Sequence, residues 1–385
     1  MKNRIDDIEV LRAFAVLLVI AEHTQYSLIT WRAPATERLY AYLGGWSGVD
    51  LFFVISGFVI AKDLIPKLQQ CGDINTQMKA TLTFWVKRFW RLIPSAWLWL
   101  GVILVLSVGF NDSGAFSTFR ANFEGTITAI LQVANLHVGH SFGEFDLGIN
   151  FHYWSLSLEE QFYILLPLLI ILSRKWLVPV LIGAVVLQCF ITRDTALLSM
   201  IRAEALLLGV LIAIWRTQAS YPMFRPIALV NSTIARLGLF SLLIICLATV
   251  GSDDLHMVGN KYLAVALVST LLVIIASYND NLTIRQPLIK KALMWTGSRS
   301  YAIYLIHMPA YALTREIWFR ISPAGTKFNE DFLLEYSLTA ALLTIILSEI
   351  NFRFVETPLR KKGAVIAANM NRTDAKDTEL RSPNA

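Results

Sequence analysis

Long runs without a charged residue recur along this chain and decide what kind of fold it can adopt. Examples are residues 92–111, 176–191, 237–252 and 262–279. Such runs match the hydrocarbon core of a bilayer, which is about 30 Å thick. Because no water is present there, helices that bond their own backbone groups are the stable solution. An apolar content of 55% with only 16% charged residues is also outside the usual range of soluble domains.

We therefore predict an all-α, polytopic membrane bundle of about ten transmembrane helices. The predicted spans are residues 8–28, 46–61, 92–108, 155–172, 176–192, 196–215, 237–250, 262–278, 301–319 and 332–352. The apolar segment 127–137 is too short for a further span, and we assign it to a long outer loop, 109–153.

The distribution of basic residues predicts the orientation of this bundle. If the N-terminus is inside, the inner segments hold 24 Lys and Arg residues and the outer segments hold seven. Cytoplasmic loops are the ones enriched in Lys and Arg, so both termini are predicted to be cytoplasmic. The net charge of +6 is explained in this way, and we expect no nucleic-acid partner.

The domain organisation that we predict is simple. Residues 1–362 form one membrane domain without a repeat. Residues 363–385 are first small and then polar, and they form a disordered cytoplasmic tail. The three cysteines, Cys71, Cys189 and Cys246, have no metal-binding spacing, so we expect no metal site and no disulfide framework.

Ionisable residues inside the predicted spans are the informative positions, because each costs on the order of 2.5–3.5 kcal/mol at mid-bilayer. They are Arg12, Glu22, His23, Asp50, Glu159, Glu160, Arg202, Glu204 and His307. Arg12 and His23 are eleven residues apart, so they lie on nearly the same face of a helix and are separated along its axis by roughly 16 Å. His23 alone would be explained by an interhelical hydrogen bond. With Arg12 on its face and Asp50 on the next helix, we favour a functional role.

A basic cluster marks the predicted start of the third span. Lys87 and Arg91 share a helix face, and Arg88 lies beside them. A helix start with guanidinium groups suits phosphate binding. The alternative is ordinary anchoring of a membrane edge by basic residues.

The segment 152–163 opens the next span with an unusual set of polar residues. Glu159 shares a face with Tyr163, so a polar stripe enters the bundle. Anchoring at the membrane interface explains Trp154 and Tyr163, but it does not explain Glu159 and Glu160 side by side.

A basic cluster suited to phosphate and a histidine within the membrane fit acyl transfer from coenzyme A. The donor brings phosphates for a basic cluster, and a histidine accepts the proton of an attacking hydroxyl near neutral pH. Neither a Gly-x-Ser-x-Gly elbow nor a phosphate-binding Gly-Lys-Ser/Thr loop occurs in the sequence.

The motifs taken together resemble the family 3 membrane acyltransferases, bacterial enzymes that O-acylate cell-surface polysaccharides, lipid-linked sugars or small glycosylated products. The matching segments, in chain order over about 350 residues, are Arg12 with His23, 48–58 (GVDLFFVISGF), 87–94 (KRFWRLIP), 154–163 (WSLSLEEQFY), 202–209, 300–309 (SYAIYLIHMP) and 356–360.

The resemblance implies an O-acyltransferase of the bacterial inner membrane that uses acyl-CoA, most simply acetyl-CoA, as donor substrate. The expected acceptor is a hydroxyl of a saccharide, such as lipopolysaccharide or a lipid-linked sugar, and no permanently bound cofactor is expected. Larger members carry an extracytoplasmic hydrolase-like domain, which we do not find in this sequence. Direct transfer to an acceptor at the membrane or a separate partner protein is therefore expected.

The resemblance also assigns roles to individual residues. His23 is expected to be the general base, oriented by Asp50 or Glu159, with Arg12 supplying positive charge, although an acyl-histidine intermediate remains an alternative. The remaining assignments are Lys87, Arg88, Arg91 and Arg202 for the donor, and His152, Trp154, Glu160 and Tyr163 for the acceptor.

Two other classes of protein are open alternatives. A proton-coupled transporter or flippase also places Arg, Glu and His inside a ten-helix bundle. A sensor or scaffold is the second alternative, but it does not explain so many charges in lipid.

Overall fold

A computed structural model describes residues 5–32, 34–252, 260–281 and 283–380, and no β-strand occurs in them. Lys2 and Arg4, two of the predicted inner charges, lie outside these ranges. The α-helices are α1 Asp6–Ser27, α2 Pro34–Tyr40, α3 Ser47–Gln70, α4 Ile74–Gly109, α5 Phe119–Ile130, α6 Ala134–Ser141, α7 Tyr153–Ser173, α8 Leu177–Cys189, α9 Ala196–Met200, α10 Glu204–Trp215, α11 Ile227–Asn231, α12 Thr233–Val250, α13 Lys261–Ser277, α14 Pro287–Ser298, α15 Ser300–Ile321, α16 Leu333–Asn351 and α17 Thr357–Leu380. Short 3₁₀ turns at Arg174–Trp176, Tyr221–Phe224 and Glu330–Phe332, and a π-helical turn at Phe352–Glu356, connect some of them.

Five helical segments within the described ranges are long and apolar enough to cross a membrane, judged by length and composition. They are Ile74–Gly109, Tyr153–Cys189, Ala196–Trp215, Thr233–Val250 and Glu330–Met370. Helix α13 is apolar but shorter. Helices α1, α3 and α15, with 22, 24 and 22 residues, are long enough but more polar, and they carry Arg12, His23, Asp50 and His307.

Helix α3 lies at the centre of the bundle. It packs against α1, α7, α10 and α13, and sixteen of its 24 residues are buried. Gly57 and Gly209 allow the close approach of α3 and α10, because a Cβ at Gly57 would overlap the carbonyl oxygen of Leu206. Small residues at such a crossing allow two backbones to pack directly on each other.

Helix α4 begins earlier than the sequence indicated. Asp73 caps it by accepting hydrogen bonds from the backbone N–H groups of Asn75 and Thr76, at 2.8 and 3.0 Å. The predicted helix start at residue 92 is therefore wrong, and Arg88 and Arg91 lie in the middle of a 36-residue helix. Apolar length marks only the part of a helix that needs lipid, whereas the N-cap marks where the helix begins. The helix-terminus argument for phosphate binding at this cluster no longer holds.

Two other predicted loops are partly helical. The long connection 109–153 contains α5 and α6, which have 12 and eight residues and are too short to span a bilayer. Helix α17 continues past residue 362 to Leu380, and Gly363 lies against the side chain of Trp90. The domain boundary at residue 362 stays a prediction.

Candidate active site

Three histidines from separate parts of the sequence form a cluster in the bundle. His23 of α1 and His307 of α15 are joined by a hydrogen bond of 2.7 Å between His23 Nδ1 and His307 Nε2. The ring of His152, the residue before α7, lies 5.2 Å from the ring of His307. His152 and His307 are fully buried.

One cavity next to this cluster is lined by arginines, and we call it the arginine pocket. Its volume is about 80 Å³, and its polar lining includes Arg12, Arg88, Arg91, Glu159 and Tyr163. A second, larger cavity of about 440 Å³ shares Arg12 and Arg91 with it. We call this one the basic cavity.

A separate cleft of about 190 Å³ lies between the C-terminal end of α1 and the connection that precedes α7. We call it the loop cleft. Its lining includes Tyr26, Asp146, Phe151, Met308 and Arg315. Tyr26 takes a positive φ of 66° at the end of α1, which is uncommon for a non-glycine residue.

The histidine cluster lies between the arginine pocket and the loop cleft. Three elements lead from one to the other, and on each of them a residue of the pocket, a histidine and a residue of the cleft come in succession. In this order they are Arg12, His23 and Tyr26 in α1; Tyr304, His307 and Met308 in α15; and Ser155, His152 and Phe151 at the start of α7.

Hydrogen bonds hold these elements together at the cluster. The Tyr304 hydroxyl donates to the backbone carbonyl of His152 at 2.9 Å and lies 2.6 Å from the Ser155 hydroxyl. The Tyr311 hydroxyl donates to the carbonyl of Ile20 at 2.9 Å and so joins α15 to α1. The positions of the histidines are therefore defined by contacts between elements.

Positive charge dominates the arginine pocket. Glu159 accepts hydrogen bonds from the hydroxyls of Ser56 and Tyr163, and the Arg88 guanidinium lies 5.0 Å from the centre of the Tyr163 ring. Within the part of the chain that the structure describes, neither Arg88 nor Arg91 forms an ion pair. Two guanidinium groups that face a cavity without a carboxylate partner suit an anionic ligand.

Asp50 and Arg202 are placed differently from the prediction. The Arg202 guanidinium donates to both carboxylate oxygens of Asp50, with a closest distance of 2.7 Å, and both side chains are buried. It also lies 4.9 Å from the centre of the Trp154 ring. Arg202 therefore does not join Arg88 and Arg91, and Asp50 does not orient His23. The break between α9 and α10 allows this pair, because Arg202 lies in the break and donates at 2.7 Å to the carbonyl of Ser199.

The other predicted residues are distributed over several places. Lys87 is exposed and does not line the arginine pocket. Trp154 is buried between Arg202 and Phe53, and Glu160 lines a small cavity beside Gln132. His23 is not hydrogen-bonded to Glu159 either, because the carboxylate bonds to Ser56 and Tyr163. The predicted orientation of His23 by a carboxylate is thus replaced by contact with His307.

His307 is the residue at this site for which we predicted no role. It was recognisable as an ionisable residue inside a predicted span, which is a signal of function. Its partner His23 lies 284 residues away, so their pairing could not be predicted from spacing. No group of His, Cys, Asp and Glu in the described residues could hold a metal ion.

Comparison with known proteins agrees with the resemblance in the motifs. The O-acetyltransferase OatA of Staphylococcus aureus is 29% identical over 373 residues, which cover 92% of this chain and 57% of the relative. The peptidoglycan O-acetyltransferase OatA of Listeria monocytogenes is 28% identical over 395 residues, covering 94% and 57%. The putative peptidoglycan O-acetyltransferase YrhL of Bacillus subtilis is 27% identical over 383 residues, covering 92% and 54%.

This chain thus spans little more than half the length of these relatives. No solved structure matches it. A family model described as an acyltransferase domain matches residues 5–348, which is most of the chain. The protein belongs to the family 3 acyltransferases.

Proposed function

We propose that this protein is a membrane O-acyltransferase that moves an acetyl group from acetyl-CoA to a hydroxyl of a saccharide. The observation that carries the proposal is the position of the histidine cluster between the arginine pocket and the loop cleft. A donor on one side and an acceptor on the other would meet at a residue able to take a proton.

The basic cavity and the arginine pocket together form the proposed donor site. The basic cavity has five cationic side chains and two carboxylates in its lining, namely Lys62, Arg12, Arg91, Arg299 and Arg360 against Glu9 and Glu356. This excess of positive charge suits the phosphates of coenzyme A. The narrower arginine pocket continues from it. There Arg88 and Arg91 would hold the phosphate nearest the pantetheine arm, and the arm with its thioester would extend towards His23.

The loop cleft is the proposed acceptor site. A binding site that combines aromatic side chains with a few charged groups suits a polar ring compound. Tyr26 and Phe151 supply the aromatic rings, and Asp146 and Arg315 supply groups that can bond hydroxyls. Two of the relatives named above are peptidoglycan O-acetyltransferases, one of them putative, which supports a saccharide as the class of acceptor.

His23 is the proposed general base of the transfer. It takes the proton of the acceptor hydroxyl while that oxygen attacks the thioester carbon, forming the new C–O bond. When the tetrahedral intermediate collapses, the C–S bond breaks, and the leaving thiolate receives the proton from His23. Arg12 lies roughly 16 Å along α1 from His23, on the donor side, and supplies positive charge along the path of the donor.

The proposed orientation follows from the distribution of charge. In the proposed topology of ten spans with both termini cytoplasmic, the basic cavity faces the cytoplasm and the loop cleft faces the outer side of the membrane. Acetyl-CoA would then bind from the cytoplasm, and a cell-surface saccharide from the other side of the inner membrane.

The experiment that tests this function is transfer of radiolabelled acetyl from acetyl-CoA into the polysaccharide and lipid fractions of membranes that contain the protein. We expect label with the wild-type protein and its loss with His23→Ala. The matched control is His140→Ala, because His140 is an exposed histidine of α6 outside the cluster. Equal label with His23→Ala would contradict the role of His23. Absence of both label and CoA binding would favour the carrier alternative.

A further inference from the structure

We propose that His307 is a positioning residue that fixes the tautomer of His23 and so directs the basic nitrogen of His23 to the acceptor. This inference rests on the proposed function, because it explains how His23 is kept ready to act as a base.

The hydrogen bonds of His307 determine which of its nitrogens carries the proton. His307 Nδ1 lies 2.7 Å from the backbone carbonyl oxygen of Tyr304. A carbonyl oxygen accepts and cannot donate, so Nδ1 of His307 carries the hydrogen. In the neutral ring the other nitrogen, Nε2, then has the lone pair.

The same reasoning extends to His23. His307 Nε2, as an acceptor, faces His23 Nδ1 at 2.7 Å, so Nδ1 of His23 must be the donor. The lone pair of His23 is therefore on Nε2, the nitrogen that does not face His307. A backbone carbonyl thus sets the protonation of His23 through one intervening ring.

Packing holds both rings in the orientation that this relay requires. The ring planes of His23 and His307 are within 10° of each other. Phe151 packs edge-on against His23 at 5.4 Å between ring centres, and Tyr311 packs in the same way against His307 at 5.8 Å. A rotation of either ring would disturb these contacts.

The third histidine does not compete for this hydrogen bond. Nδ1 of His152 lies 3.2 Å from the carbonyl oxygen of Ile149, so it donates to that oxygen. Nε2 of His152 has no hydrogen-bond partner in the described part of the chain. Both His152 Nε2 and His307 Nε2 are acceptors in these tautomers, and two acceptors cannot bond to each other.

The relay also stabilises the charged form of His23. When His23 takes the acceptor proton on Nε2, its Nδ1–H bond to His307 becomes charge-assisted and stronger. In Ser-His-Asp triads a carboxylate has this task. A neutral imidazole accepts the hydrogen bond without placing a second full charge in the membrane, where such a charge is costly.

Two substitutions at one position test the inference. His307→Leu removes the acceptor, whereas His307→Gln offers its side-chain oxygen at a similar distance from the backbone. We expect His307→Leu to lower kcat by about 100-fold or more while KM for acetyl-CoA changes less than about twofold. His307→Gln should retain at least ten times the kcat of His307→Leu. Equal kcat in the two variants, or wild-type kcat in His307→Leu, would overturn the proposal.

A measurement that needs no turnover separates this inference from the proposed function. Solid-state ¹⁵N spectra of histidine-labelled wild-type protein, with His23→Asn as the difference control, report which nitrogen of His23 is protonated. We expect Nδ1–H in the wild-type protein and in His307→Gln, whose side-chain oxygen still accepts this hydrogen, and loss of the preference in His307→Leu. A wild-type His23 protonated on Nε2 would overturn the inference. An inactive wild-type protein with His23 protonated on Nδ1 would overturn only the proposed function.

Discussion

Arg202 and Asp50 form a buried ion pair that joins the first turn of α3 to the break between α9 and α10. The guanidinium Nη2 lies 2.7 Å from a carboxylate oxygen, and its Nε lies 3.1 Å from the other. The side chain of Asp50 is completely buried, and that of Arg202 is 3% exposed. We interpret the pair as the element that holds the broken span against α3.

The first prediction follows from the cost of a buried charge without its partner. Removing one member of a buried pair destabilises by about 3–5 kcal/mol, because the other charge stays in place. Asp50→Leu and Arg202→Met should each lower the Tm of the detergent-solubilised protein strongly. The double variant should recover part of the loss. If the double variant lost as much Tm as the two single variants together, or more, the result would contradict this interpretation.

The second prediction concerns the donor site. Arg88→Ala and Arg91→Ala should each raise KM for acetyl-CoA by about tenfold or more with little change in kcat, since one charge-assisted hydrogen bond contributes about 1.5–3 kcal/mol. Steady-state kinetics with varied acetyl-CoA measures this. Lys87→Ala is the matched control, because Lys87 is a neighbouring cation that does not line the pocket. An equal effect of all three substitutions would favour anchoring by the basic cluster as a whole.

The third prediction concerns the loop cleft. Arg315→Gln should raise the apparent KM for the saccharide acceptor without changing the affinity for CoA, since Arg315 lines the cleft and not the donor cavities. Arg120→Gln is the control, because Arg120 is exposed and pairs with Glu124 on the surface of α5. If Arg315→Gln weakened CoA binding and left acceptor dependence unchanged, the cleft would not be the acceptor site.

The fourth prediction concerns the crossing of α3 and α10. A Cβ at Gly57 would overlap backbone atoms of α10, which cannot move aside as a side chain can. Gly57→Ala should destabilise the protein by about 1–3 kcal/mol, as overpacking does. Gly101→Ala is the comparison, because nothing lies within 4 Å of a Cβ at Gly101 in α4. This variant should be neutral or slightly stabilising, because Ala favours helix. Thermal unfolding of both variants measures the difference.

The general architecture could be predicted from the sequence because lipid imposes it. Uncharged runs predicted helices, and the family was recognisable from motifs such as Arg12 with His23. Where a helix also extends beyond its apolar part, the same reasoning failed. The first turns of α4, from Ile74 onward, are polar and were read as a loop.

Pairings between distant residues could not be predicted. Asp50 and His23 are both ionisable residues in neighbouring spans, and a contact between them was a reasonable hypothesis. The structure instead pairs Asp50 with Arg202, 152 residues away, and His23 with His307, 284 residues away. Helix periodicity gives the face on which a residue lies, but not which distant helix packs against that face.

Acetyl transfer across a sealed membrane is the most direct test of the proposed mechanism. Proteoliposomes would hold radiolabelled acetyl-CoA on one side and a saccharide acceptor on the other, with His23→Ala as the comparison. We expect the wild-type protein to label the acceptor when acetyl-CoA faces the basic cavity and the acceptor faces the loop cleft, and we expect no label with His23→Ala. Transfer that needs both substrates on the same side, or equal labelling by His23→Ala, would contradict this mechanism.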